Sequence, residues 1–238
     1  MMDLADINRL AGQAPLAEGY RLVPLRRAEV GTLIAFIQRW FPAIGVGSAS
    51  CYLRHEFYAK EVFFDGTPGR DVLVMLLERG HELAGMFSFE RDTDTLTLHG
   101  QVAVAAPAHR GANLAGATLA MIEAFGRHMG MGLVYGMATL KAPHVQAAFE
   151  RAGWQLIGIT PGYDREMVAP GVVKRVYEAV YAKLLVSANS LLHPQRQNLT
   201  PRTQALFDHV CSADWLDRAT RPEMPRPVEA RRASQPGP

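Results

Sequence analysis

Cysteine is almost absent from this chain. It has two in 238 residues, Cys51 and Cys211, far apart and without the spacing of a metal site or a redox pair. A disulfide-stapled scaffold and a cysteine-held metal are therefore excluded as organising principles. Excess charge is also lacking. The chain carries 25 Lys and Arg against 23 Asp and Glu, a formal net charge of +2. A dedicated nucleic-acid binder shows a stronger and clustered basic excess, so no nucleic-acid partner is expected. No apolar run reaches the length of a membrane span. The opening residues carry Asp3 and Asp6 where a secretory signal needs an apolar core. There is no internal repeat. These absences lead to the expectation of a cytoplasmic protein without a membrane segment and without a bound metal.

What is present is apolar content for a core, 48% of residues, in a chain long enough for one sizeable domain with appendages. Residues 1–18 read as an N-terminal arm with a helical turn at Leu4 to Leu10, and residues 19–185 as the domain. Residues 186–212 read as a helical extension. In it Thr200-Pro201 is a good helix start, Ala205, Leu206 and Val210 are available for packing, and Leu191-Leu192 can dock beforehand. Residues 213–238, rich in proline and arginine with little to bury, are expected to be disordered.

The most informative stretch joins an apolar β-branched run, Val102-Ala103-Val104, through Ala105-Ala106-Pro107 to His109-Arg110-Gly111-Ala112-Asn113-Leu114-Ala115. This reads as strand, tight turn and helix start. The first N–H groups of a helix have no intrahelical partners and lie at the positive end of its dipole, so they bind phosphate oxygens. Small residues at 111, 112 and 115 admit a ligand to the backbone, and Arg110 adds a cation. The expected ligand is an anion of the pyrophosphate kind.

The surroundings have a consistent order. Tyr20 to Leu25 reads as an opening strand, with helices over Ala28 to Phe41 and Ser50 to Phe64. Asp71 to Arg79, Glu82 to Arg91 and Thr95 to Val104 read as an antiparallel meander. The turn leads into a helix with Leu114, Met121, Ile122, Phe125 and Met129 close to one face. A strand over Leu133 to Leu140, a helix over His144 to Ala152, and strands over Gln155 to Thr160 and Val172 to Leu184 follow.

On this order and this turn the chain resembles the GNAT superfamily of acyl-CoA N-acyltransferases over residues 19–185. The family turn reads Q/R-x-x-G-x-G/A, and Asn113 stands where glycine is usual; asparagine tolerates positive φ. The resemblance implies an α/β (α+β) fold with a mixed, mostly antiparallel central sheet flanked by helices. It implies acetyl-CoA or another acyl-CoA as co-substrate, an amine acceptor, and direct attack of the amine on the thioester. Arg110, Gly111, Ala112, Asn113, Leu114 and Ala115 would hold the pyrophosphate, and Val102, Ala103 and Val104 would offer backbone groups to the pantetheine arm. A homodimer stays open.

Such a transfer needs a deprotonated amine, a polarised carbonyl and a protonated leaving thiolate. Along the strand before the proline, Thr97, His99, Gln101 and Ala103 alternate with Leu98, Gly100, Val102 and Val104, giving a polar face that lines a cleft. His99 is the expected base, with Gln101 as its orienting neighbour and Glu90 in reserve; a core histidine bonded to backbone is the plain alternative. The family's usual acid is a tyrosine four residues before a glycine, and here that position is Phe149, ahead of Gly153. Phe149 can pack against the pantetheine but cannot donate a proton. Tyr163, read as a loop residue bordering the acceptor site, is the substitute. His144, at the start of a helix, either touches the coenzyme or is solvated. For the acceptor, Glu56, Glu61, Asp65, Asp164 and Glu166 can receive a cationic amine, whereas Arg54 and Arg165 can hold a carboxylate. Two other classes stay open: a catalytically silent acyl-CoA sensor, and an unrelated α/β nucleotide-binding protein, against which the early antiparallel meander speaks.

Overall fold

The computed structural model describes residues 3–67, 69–110 and 114–211. The expected tail and the turn residues Gly111, Ala112 and Asn113 lie outside the described residues. Seven strands form one sheet: β1 Tyr20–Pro24, β2 Val72–Arg79, β3 Glu82–Asp92, β4 Thr97–Ala105, β5 Leu133–Thr139, β6 Gln155–Ala169 and β7 Val172–Leu184. Their spatial order is β1-β2-β3-β4-β5-β7-β6, and every neighbouring pair is antiparallel except β4 with β5. The mixed sheet between helical layers is the architecture expected from the strand and helix order.

Helices cover both faces: α1 Leu4–Ala11, α2 Val30–Trp40, α3 His55–Lys60, α4 Leu114–His128, α5 Pro143–Arg151 and α6 Pro201–Val210. β2 reads Val72-Leu73-Val74-Met75-Leu76-Leu77 because both its faces are buried. Leu73, Met75 and Leu77 join the cluster under α1, α4 and α5, whereas Val72, Val74 and Leu76 join the one under α2 and α3. α4 buries Ala117, Leu119, Met121, Ile122 and Phe125.

Three expectations change. The N-terminal arm is a docked helix whose Ile7, Leu10 and Ala11 are in the core; Asp3 caps it by accepting from the Asp6 N–H at 2.8 Å. The second expected helix is broken. A 3₁₀ segment covers Ser48–Leu53, Arg54 is extended at φ −117° and ψ 123°, and α3 starts afterwards. Across the break, buried Tyr58 donates its hydroxyl to the Tyr52 carbonyl at 2.8 Å. Finally, β6 runs through Pro161, Gly162 and Tyr163, because the ladder with β7 jumps from Thr160–Glu178 to Asp164–Val176 and carries these residues as a bulge. Tyr163 is thus a bulge residue of a strand, not a loop residue.

In the C-terminal extension Thr200 caps α6 and Pro201 opens it. Val210 and half-buried Phe207 face inward, whereas Ala205 and Leu206 are exposed and Leu192 is almost wholly so.

Candidate active site

β4 and β5 pair only from Thr97–Leu133 to Gly100–Gly136, and beyond this point the two strands diverge. Both terminal residues of the ladder are glycines at close approaches. A Cβ at Gly100 would lie 3.2 Å from Ile122 Cδ1 on α4, and one at Gly136 would lie 3.0 Å from Phe149 Cζ on α5. Past the split, a cavity of about 700 Å³ is lined by Gln101, Val102, Ala103, Val104 and Ala105 of β4, with Met137, Ala138 and Thr139 of β5. Leu114, Ala115 and Thr118 of α4 reach it from one side, and Phe149 from α5. β5 is no longer in the ladder beside the 101–105 backbone, so that edge of β4 faces the cavity.

On the other side of the sheet the cavity meets Ser48, Glu90, His99, Tyr163, Asp164, Glu166 and Glu178. The bulge of β4 arranges this face. Ser88 pairs with Val102 and Phe89 with Gly100, so Gln101 is the extra residue. The simple alternation expected along β4 is therefore corrected. Val102 and Val104 pack with the α2–α3 cluster, opposite Ser88 and Met86, and His99 is opposite Glu90 on the same face.

Gln101 does not orient His99. Its amide donates to Glu90 Oε2, and its Oε1 accepts from the Tyr52 hydroxyl at 3.3 Å. Tyr52 is buried and shares a 2.6 Å hydrogen bond with Ser88 Oγ. Burial drives its phenol pKa well above the usual range, so it stays protonated. The His99 ring instead stacks on Tyr135, centroids 4.5 Å apart and planes within 4°. Burial lowers the His99 pKa, which keeps the imidazole neutral and able to accept a proton at neutral pH. Burial also raises the Tyr135 pKa, helped by Tyr163 and Glu90 nearby.

A loop closes this half of the cleft. Asp164 accepts from the Ser48 N–H and from Ser48 Oγ, each at 2.8 Å. Gly47, at φ +86°, allows the approach: a Cβ there would lie 2.2 Å from the Arg165 carbonyl oxygen. Lys141 pairs with Glu166. Glu178, buried on β7, has its carboxyl pKa pushed up to about 7 by desolvation, then by Glu166 and Asp164, with Lys141 opposing.

The expected site residues are thus distributed unevenly. His99, Glu90, Tyr163, Val102, Ala103, Val104, Leu114, Ala115 and Phe149 line one cavity. Phe149 is buried and stacked on Tyr181 at 4.8 Å. Arg110 is exposed ahead of α4, and His144 is exposed on the first turn of α5; neither lines the cavity. Asp164 and Glu166 do, whereas Glu56, Glu61, Asp65, Arg54 and Arg165 do not. Sequence reasoning missed Tyr52, Ser88, Tyr135 and Glu178. A usable signal existed for Glu178 alone, a lone acid in the alternating series Val176, Glu178, Val180, Ala182. Among the described residues no cluster of three His, Cys, Asp or Glu can hold a metal, and no helix is long and apolar enough to cross a membrane.

No family model and no curated protein sequence matches the chain. Solved structures do. A spermidine N-acetyltransferase from Vibrio cholerae aligns at TM-score 0.55 and 13% identity, over 71% of this chain and 95% of its own. The acetyl transferase from Salmonella typhimurium that modifies the N-terminal serine of ribosomal protein L7/L12 aligns at TM-score 0.54 and 12% identity, over 73% and 99%. The split between β4 and β5, the flanking helices and these alignments agree: this chain has the fold of the GNAT acetyltransferases.

Proposed function

We propose that the chain is an acyl-CoA-dependent N-acyltransferase that moves an acetyl or short acyl group from coenzyme A to an amine. The observation that carries this reading is the split of β4 from β5 at the Gly100–Gly136 pair, which opens a cavity through the sheet beside an unladdered strand edge. The residues there fit an extended thioester-bearing arm. The 101–105 backbone can bond its amides, and Leu114 and Ala115 begin a helix whose N-terminus favours an anion, with Arg110 one turn earlier. The aligned structures are named for transfer to spermidine and to a protein N-terminus, both amines.

In the proposed reaction the amine lone pair attacks the thioester carbon, the C–N bond forms, the C–S bond breaks and the thiolate leaves. The neutral imidazole of His99 takes the ammonium proton, with Glu90, fixed by Gln101, as the reserve acceptor. Phe149 stands where a phenol would protonate the thiolate, so Tyr163, in the same cavity, is assigned that role. The same phenylalanine favours a second reading, a sensor that binds acyl-CoA without consuming it.

Calorimetry with acetyl-CoA on wild type and Arg110→Glu tests binding, and thioester consumption with a panel of amines separates enzyme from sensor. The expected results are weakened binding in the variant and consumption by wild type. Equal affinity in both proteins removes Arg110 from the coenzyme site, whereas no binding by wild type, or binding without consumption, removes the transferase assignment.

A further inference from the structure

The acceptor half of the cavity contains four acids, and three of them are satisfied within the protein. Asp164 accepts three hydrogen bonds, from the Ser48 N–H, the Ser48 hydroxyl and the Arg165 N–H. Glu166 is paired with Lys141, and Glu90 accepts from Gln101. Glu178 differs. It is only 8% exposed, it lines the cavity, and among the described residues it has no hydrogen bond or ion pair. Burying a carboxylate without a donor is costly, and a cation supplied by a ligand removes that cost. No Lys or Arg among the described residues lines the cavity. A substrate carboxylate would therefore meet no cationic side chain of the lining, whereas an ammonium would meet Glu178.

Position separates this acid from the proton-accepting histidine. His99 is paired with Tyr135 on β5, and Glu178 is paired with Thr139 on the same strand. Tyr135, Met137 and Thr139 alternate onto one face, so His99 and Glu178 project to the same side of the sheet. Four strand residues separate the two pairs, roughly 13 Å along β5 before the lateral offset is added. Two groups so placed do not serve one nitrogen.

We propose that Glu178 anchors the acceptor by binding a second positive charge, several bonds from the nitrogen that is acylated, so that the acceptor is a linear di- or polyamine. This rests on the transferase reading above. The near-neutral carboxyl of Glu178 agrees with an anchor awaiting its cation, because an ammonium beside it would draw the group into its ionised form.

The test compares straight-chain α,ω-diaminoalkanes, from diaminobutane to diaminodecane, with n-alkylamines of matching length, using wild type, Glu178→Gln and Glu178→Asp. With acetyl-CoA, wild type is expected to favour at least one diamine over its monoamine. Glu178→Gln should erase that preference through KM, by about ten- to a hundredfold, with kcat and acetyl-CoA affinity kept. Glu178→Asp should recover part of it. Diamine binding by calorimetry in the presence of coenzyme A should weaken in parallel, and thermal melts establish that the variants are folded. Equal use of mono- and diamines by wild type, or a Gln variant that loses kcat at unchanged KM, overturns the anchor while leaving the transferase reading intact. Diamine binding that depends on Glu178 in a protein consuming no thioester does the reverse.

Discussion

His99 and Glu178 share a face of the sheet, and loss of water moves their acid constants in opposite directions, the histidine down and the carboxyl up to about 7. Each shift is also a statement about stability. An ionised Glu178 is disfavoured in the folded chain, so wild type loses stability as pH rises from the ordinary carboxyl range to about 7. Glu178→Gln removes that loss. It should melt higher than wild type at about pH 8 and alike at about pH 4, where both side chains are neutral; equal melting at both values would contradict the buried-acid assignment. For His99 the unfolded chain binds the extra proton, so stability from this residue falls as pH drops below the ordinary histidine range. His99→Ala should lower turnover on the order of a hundredfold with acetyl-CoA affinity retained. Steady-state kinetics beside calorimetry decide the matter, and a fully active variant would move the base to Glu90.

Two elements hold the site in shape. The 3₁₀ segment Ser48–Leu53 is pinned to β6 through Asp164 and closed against it at Gly47. Gly47→Ala combines an unfavourable φ of +86° with a 2.2 Å clash against backbone, so the wall must move. It should raise the acceptor KM and lower the melting temperature while acetyl-CoA still binds, because β4 and α4 lie on another side of the cavity. Farther away, Lys183 on β7 meets Glu123 on α4 at 2.8 Å, and the same glutamate accepts from Trp154 Nε1 at 2.7 Å. This buried group ties the α4 helix to the far strands. Lys183→Met breaks this buried ion pair and should cost about 3–5 kcal/mol in urea unfolding. A loss below about 1 kcal/mol would show that the network relaxes around water.

At the scale of the whole molecule, α1, α4 and α5 back one face of the sheet and α2 and α3 the other, leaving the split between β4 and β5 as the passage. A ligand seated there touches β4, α4 and α5 together, so its binding energy supports the native state as a unit. Acetyl-CoA at a hundredfold excess over its Kd should add about 2.7 kcal/mol to unfolding free energy, seen as a rise in melting temperature. A melt unmoved by saturating acetyl-CoA would remove the ligand from this passage.

Local physics carried much of the reading. Apolar runs, continuous in β2 and alternating in β7, marked β2, β3, β4, β5 and β7, and the Thr200-Pro201 start marked α6, because backbone geometry writes its own spacing into the chain. The strand–proline–turn–helix stretch at 102–115 marked the coenzyme end of the expected site for the same reason, since strand, turn and helix start are contiguous there. Tertiary structure decided the rest. The bulge at Gln101, set by the pairing of β4 with β3, leaves that amide bonded to Glu90 rather than to His99. The stack of His99 on Tyr135 and the solitude of Glu178 depend on strands brought together from distant parts of the chain. A residue's partners across a sheet follow from register and bulges. Neither has a local sequence signature at these positions, so the chemistry of the acceptor half became readable only once the strands were paired.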